Sequence, residues 1–268
     1  MKLKNMKRFN NLLNNKTIIV TGCSGFFGLK ICEFFLSEGA IVIGLDKKIP
    51  VNSFIKNFSF FKCDITKEKS VKETLSKILK KKLKPNVLIN NAGLDVPPSL
   101  KQKNFSIEKT SLSIWKKTHD VNVNGVFICS KIFGKYFLKN NDGVLVNIGS
   151  IYGIVAPDNT IYENLNKKNG TNFIKPLEYS SSKSSLITMT KYLGSYWAKK
   201  NIRVNCLVMA GIFNNQDKSF LKSYTKRIPI GRMADVSDYF GPLSFLISDM
   251  SKYMTGTSLI VDGGWTAI

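Results

Sequence analysis

An α/β fold is what the sequence predicts: a doubly wound sheet of about seven parallel strands with helices on both faces, in one domain over 17–268. Three observations carry this. Short apolar runs rich in β-branched residues alternate along the chain with longer amphipathic stretches, the pattern of buried parallel strands joined by helices. Glycines at 22, 25 and 28 separate the first run from the helical stretch behind it. The second run ends on an acid, Asp46. With 268 residues, 43% of them hydrophobic, the chain can bury one sizeable core, and no linker or internal repeat divides it.

Thr17–Thr21 reads as a buried strand ended by Gly22. The loop Gly22-Cys23-Ser24-Gly25-Phe26-Phe27-Gly28 opens a helix through Ile31, Phe34, Phe35 and Leu36, and 40–45 is the second strand. Strand, glycine loop, helix, strand and acid in that order form a Rossmann-type dinucleotide-binding unit. Gly22 permits the tight turn, Gly25 the approach of a pyrophosphate and Gly28 close packing of helix on strand, while the helix N-terminus supplies donors. Ser24, Phe26 and Phe27 fall on the same cofactor-facing turn. Asp46 is suited to accept from both ribose hydroxyls and to repel a 2′-phosphate, which favours NAD over NADP; Lys47 and Lys48 pull the other way.

Residues 58–61 are the third strand, with Asp64 and Ile65 past its end where an adenine would lie. An amphipathic helix over 67–82 follows, and 87–89 leads into Asn90-Asn91-Ala92-Gly93, small residues that let the backbone pass close to a cofactor. A helical pattern from 111 to about 139 holds Asn122, Asn124 and Gly125, residues costly inside a helix and therefore a mark of strain or function. Strands at 143–148, 202–207 and Ser258–Val261 complete the series, the first of them ending at Gly149-Ser150. The polar connection over 151–178 is long enough to predict a substrate-contacting loop, with Tyr152, Asn159, Tyr162 and Glu163 facing sugar hydroxyls.

Tyr179 and Lys183 begin the next helix, which continues through Leu186, Met189, Leu193 and Trp197. At i and i+4 the two side chains share a face. An ammonium held beside a phenol favours the phenolate, and a phenol whose pKa is lowered can exchange a proton with an alcohol or carbonyl.

Composition excludes several classes. The five cysteines are scattered without a CxxC pair, which suggests reduced thiols in a cytoplasmic protein. The single histidine, His119, rules out a His-rich metal site; no metal is expected, and an ordinary partly exposed position is. Residues 1–16 read as a short basic, mobile extension without the apolar core of a secretory signal. No apolar run reaches the roughly 18 residues of a membrane span. The net charge of +22 comes from lysines spread over the whole chain, with only Arg8, Arg203, Arg227 and Arg232 as arginines. That argues against a nucleic-acid or membrane partner and for a field that attracts small anions.

Taken together, the glycine loop, Asp64, Asn90-Asn91-Ala92-Gly93, Asn122, Ser150, Tyr179-x-x-x-Lys183 and the terminal Asp262-Gly263-Gly264 resemble the short-chain dehydrogenase/reductase family over essentially 17–268. The resemblance implies reversible hydride transfer between NAD and a secondary alcohol or its ketone. Ser150 would hold the reacting oxygen, Tyr179 exchange its proton, and Lys183 bind the nicotinamide ribose and lower the tyrosine pKa. Asn122 would position a relay water, and Asn91, Ala92, Gly93 and the Ile212 backbone would meet the cofactor. It also implies a homodimer or homotetramer and a mobile substrate-side segment over 212–230. Two features depart from the family. The Gly-x-x-Gly-x-x-Gly spacing is that of its longer, sugar-nucleotide-modifying branch, which keeps an epimerase or dehydratase as an alternative. Met209-Ala210 replaces the usual Pro-Gly, the one feature that favours a non-catalytic dinucleotide-binding regulator. Ser150–Pro157, Gly211–Gln216 and Gly263-Gly264-Trp265 resemble more narrowly the flagellin-modification branch, implicated in surface sugars of the legionaminic, nonulosonic type. An anionic sugar substrate is therefore expected, steered by Lys167, Lys168, Lys175, Lys218, Lys222, Lys226 and Arg227.

Overall fold

The computed structural model describes residues 12–50, 56–96 and 106–268. Its strands are β1 (Thr17–Thr21), β2 (Ile41–Asp46), β3 (Phe58–Lys62), β4 (Val87–Asn90), β5 (Gly143–Ser150), β6 (Ile202–Met209) and β7 (Ser258–Val261). They form one parallel sheet in the order β3-β2-β1-β4-β5-β6-β7. The helices are α1 (Phe26–Ser37), α2 (Glu68–Lys80), α3 (Leu112–His119), α4 (Val126–Asn140), α5 (Glu163–Asn169), α6 (Leu177–Trp197), α7 (Lys218–Lys226) and α8 (Phe240–Ile247).

The twofold period of a strand divides β1 between two cores. Ile18 and Val20 pack on one face with Ile31 and Phe35 of α1 and Leu243, Leu246 and Ile247 of α8. Ile19 packs on the other with Val71 and Ile78 of α2, Phe133 and Phe137 of α4, and Trp197 of α6. Strands covered on both faces need no polar positions, which is why these runs are continuously apolar.

Several sequence-based expectations change. Of the extension over 1–16, residues 1–11 lie outside the described residues. Within 12–16, Leu13 is fully buried in the first core, and Lys16 pairs with Asp249 at 3.3 Å. The helix expected from 111 to 139 is α3 and α4 joined by a π turn, Asp120–Gly125. The turn sits where Asn122, Asn124 and Gly125 weaken the α pattern, and a Cβ on Gly125 would stand 2.6 Å from Ile65 Cδ1.

The segment over 151–178 is not an open loop. Ile151, Tyr152, Ile161, Tyr162, Leu165 and Phe173 form a third core with Phe220 and Tyr224 of α7 and with Trp265. Its apolar residues are separated by polar ones at irregular intervals, so the stretch reads as a loop although it carries α5. The segment over 212–230 is likewise helical, started by the Asp217 side chain accepting from Ser219 N. The two form one cap, joined by Lys168–Asp217 at 2.5 Å and Arg227–Asp158 at 3.0 Å. Helix α8 lacks a sequence signal because Gly241 and Pro242 open it. It is docked through Arg203, whose Nη1 donates to Leu246 O and Nη2 to Ser248 O, both at 3.0 Å.

Candidate active site

A crevice opens at the carboxyl ends of the strands, where the order reverses between β1 and β4, the place at which doubly wound sheets bind ligands. Its volume is about 840 Å³. Gly22, Gly25, Phe26, Phe27 and Gly28 line one end, and Asp46, Asp64 and Ile65 flank it. Asn91, Ala92 and Gly93 form the middle; Ser150, Tyr179, Lys183 and Ile212 lie at the other end.

Two expected residues stand behind the wall instead of on it. Ser24 does not line the crevice; its N–H donates to Asp46 Oδ2 at 3.0 Å, and its hydroxyl to Lys48 O at 2.5 Å. Asp46 also accepts from Lys48 N at 3.2 Å, so two backbone donors fix a carboxylate that keeps further lone pairs for a ligand. Asn122 is buried. Its Oδ1 accepts from Leu94 N at 2.7 Å, and its Nδ2 donates to Leu94 O and to Ser182 Oγ, both at 3.0 Å. Its amide therefore holds the segment after Gly93 against α6.

Other supports were missed in the sequence. Thr21 Oγ1 accepts from Asn91 N and Ala92 N, both at 3.1 Å, and Asn91 Nδ2 donates back to Thr21 O at 2.9 Å. A buried polar chain runs beneath the site: Asn90 Nδ2 donates to Asn147 Oδ1, and Asn147 Nδ2 to Thr190 Oγ1, each at 2.9 Å. The one available signal was an asparagine inside each of two apolar strands. His119 is half-buried, with Nδ1 3.0 Å from Trp115 O and Nε2 3.1 Å from Ser181 Oγ. It ties α3 to α6.

Lys183 Nζ donates to Ile148 O at 2.7 Å and lies 5.8 Å from the centre of the Tyr179 ring. Burial pushes the Tyr179 phenol well up, the Asp95 carboxylate adds to this, and the Ser150 hydroxyl opposes it. The lowered tyrosine pKa expected from Lys183 is thus absent in this arrangement: the ammonium faces a carbonyl, and desolvation of the phenolate prevails. Lys183 itself is lowered to about 8, chiefly by burial. Its folded pKa lies below the unfolded 10.5, so between these values the unfolded chain binds more protons and stability rises with pH. Against Lys183→Met, the wild type should gain about 2 kcal/mol of stability between about pH 7 and about pH 10 in urea denaturation. A pH-independent difference would mean that Lys183 is not a buried cation.

Of the cationic residues expected to steer a substrate, Lys175 alone reaches the crevice. Lys168 and Arg227 are paired within the cap, and Lys167, Lys218, Lys222 and Lys226 are exposed and outside the lining. Ala210 and Gly211, despite the lost proline, are held firmly. Tyr239 Oη donates to Ala210 O at 3.2 Å, and Gly211 N donates to Tyr224 Oη at 2.8 Å.

A glycine cradle at the switch point of a doubly wound sheet defines a dinucleotide-binding protein with a tyrosine and a lysine at the far end of its crevice. The chain belongs to the short-chain dehydrogenase/reductase family, oxidoreductases acting on CH–OH groups: the family model described as enoyl-(acyl carrier protein) reductase matches residues 27–266. It is 32% identical to the post-translational flagellin modification protein A of Campylobacter coli, over 95% of this chain and 99% of that one. It is 28% identical to an NAD-dependent glycerol dehydrogenase of Listeria innocua, over 97% and 96%. A crystal structure of a short-chain dehydrogenase from Leptospira borgpetersenii with bound NAD+ superposes with a TM-score of 0.87 at 33% identity, covering 99% of this chain and 98% of that one. Among the described residues no helix is long and apolar enough to cross a membrane.

Proposed function

We propose that this protein is an NAD-dependent oxidoreductase that interconverts a secondary alcohol and a ketone of a sugar or polyol. One observation carries the reading: the Tyr179 phenol, the Ser150 hydroxyl beside it and the Lys183 ammonium meet at one end of a crevice whose other end is a glycine cradle.

The residues fit a dinucleotide. A Cβ on Gly25 would meet only Gly22 O, at 3.4 Å, so the space there faces the crevice and suits a phosphate beside the α1 N-terminus. Asp46 would hold the adenosine ribose, Asp64 and Ile65 the adenine, Lys183 the second ribose and the Ile212 backbone the carboxamide. When bound, NAD supplies the hydride acceptor. Ser150 then holds the substrate oxygen, and Tyr179 takes or returns its proton. Lys183 would hold the nicotinamide ribose, and its charge would favour the phenolate. A water positioned at Asn122 would relay the proton between Lys183 and solvent.

A sugar or polyol is supported by the named activity of the glycerol dehydrogenase relative; Tyr152 lines the crevice, with its hydroxyl buried beside that of Tyr162. Asn159 and Glu163 do not line it. A two-fold assembly, reached in a cytoplasmic compartment where the buried thiols stay reduced, would cover Phe127, Tyr192 and Tyr196, which are 52%, 67% and 68% exposed on α4 and α6.

The choice of NAD is testable by calorimetry at one salt concentration. The Asp46 carboxylate should make NAD bind at least about tenfold more tightly than NADP, and Asp46→Asn should narrow the gap. Equal affinities in the wild type would assign control to Lys47. Incubation with NAD and pooled polyols should also yield reduced nicotinamide.

A further inference from the structure

Forty residues are lysine or arginine, yet among the described residues only Lys47, Lys175 and Lys183 line the crevice. Lys47 follows Asp46 at the ribose end. Lys183 is engaged by Ile148 O. Lys175 stands on the substrate side of Tyr179, its Nζ 4.3 Å from the centre of that ring and 5.9 Å from that of Tyr152. Its side chain is only 7% exposed, and among the described residues its Nζ pairs with Asp95 Oδ1 at 2.5 Å, on a side chain 49% exposed. The position is rigid: Lys175 N donates to Asn159 Oδ1 at 3.1 Å, and Pro176 follows as the cap of α6.

A nearly buried ammonium costs desolvation energy that one half-exposed carboxylate offsets incompletely. It has three donors, and Asp95 takes one. Asp95 shows which anion fits; its side chain is half exposed, and Oδ1 also accepts from Val96 N at 2.7 Å.

We propose that Lys175 is the specificity residue for a carboxylate on the substrate, with Asp95 occupying that place until the substrate arrives. This deepens the proposed function and rests on it. The short distance from Nζ to Tyr179 puts the carboxylate and the reacting hydroxyl in one small molecule. That selects a sugar acid or hydroxy acid over a sugar whose charge sits on a distant nucleotide. A phosphate is a poorer match because the single ammonium neutralises only one of its two charges.

The test is calorimetric titration of the NAD-saturated enzyme with gluconate, sorbitol and sorbitol 6-phosphate. Gluconate and sorbitol share a carbon chain and differ at one end by the carboxylate. The wild type should bind gluconate at least about tenfold more tightly than sorbitol. Lys175→Met should bring that ratio to about one, with NAD affinity retained. Asp95→Asn should act in the opposite direction, tightening gluconate severalfold and leaving sorbitol unchanged, a gain that misfolding cannot mimic. The inference is overturned if the wild type shows no preference, if Lys175→Met keeps it, if Asp95→Asn weakens gluconate, or if sorbitol 6-phosphate binds best. Failure of the wild type to bind NAD, read first on the same sample, would strike the proposed function itself. NAD binding with a preference indifferent to Lys175 would strike this inference alone.

Discussion

Tyr179→Phe is expected to lower turnover by about 10²–10⁴-fold while leaving NAD affinity nearly unchanged. The substitution removes only the phenolic oxygen. The ring still packs in the cap core and under Lys175, so loss of fold is not the expected cause. Lys183→Met should instead damage both turnover and cofactor affinity, because its ammonium serves the ribose and the phenolate together. Steady-state kinetics on a confirmed substrate, with separate cofactor titrations, distinguish the two patterns. Near-normal turnover in Tyr179→Phe would remove Tyr179 from the chemistry.

Gly28→Ala should strongly weaken cofactor binding through the backbone alone. A Cβ there would stand 2.0 Å from Gly22 O and 2.8 Å from Asn91 Nδ2, so α1 must move off β1 or the cradle must open. The expected cost is about 3 kcal/mol of stability with about 100-fold weaker NAD binding. Gly25→Ala is the contrasting case. Its Cβ meets only Gly22 O at 3.4 Å, so Tm should hold while the methyl occupies the cradle and weakens NAD. If both variants keep wild-type affinity, the glycine loop does not hold the pyrophosphate.

What the sequence made legible was set by local rules. Buried parallel strands are apolar on both faces, so all seven could be read, with ends displaced by a few residues: 202–207 became Ile202–Met209. The wall of the site was legible for the same reason, since a cofactor-facing turn needs small residues at fixed places. Three things were not legible. The cap looked polar because Tyr162, Leu165 and Phe173 find their partners on α7, far along the chain. Thr21 and Asn147 act through cross-strand hydrogen bonds that depend on register. The balance at Tyr179 depends on burial: a lysine one turn away predicts a lowered phenol, but the lysine reaches Ile148 O and burial decides the sign.

The most direct test of hydride transfer is isotopic. The enzyme is incubated with NAD and a pool of carbon-deuterated polyols and sugar acids, and the recovered reduced nicotinamide is weighed by mass spectrometry. The account predicts one deuterium on the nicotinamide ring with the wild type, acquired about 10²–10⁴-fold more slowly with Tyr179→Phe. Firm NAD binding with no deuterium acquired from any member of the pool would contradict it and leave a protein that binds the dinucleotide without using it.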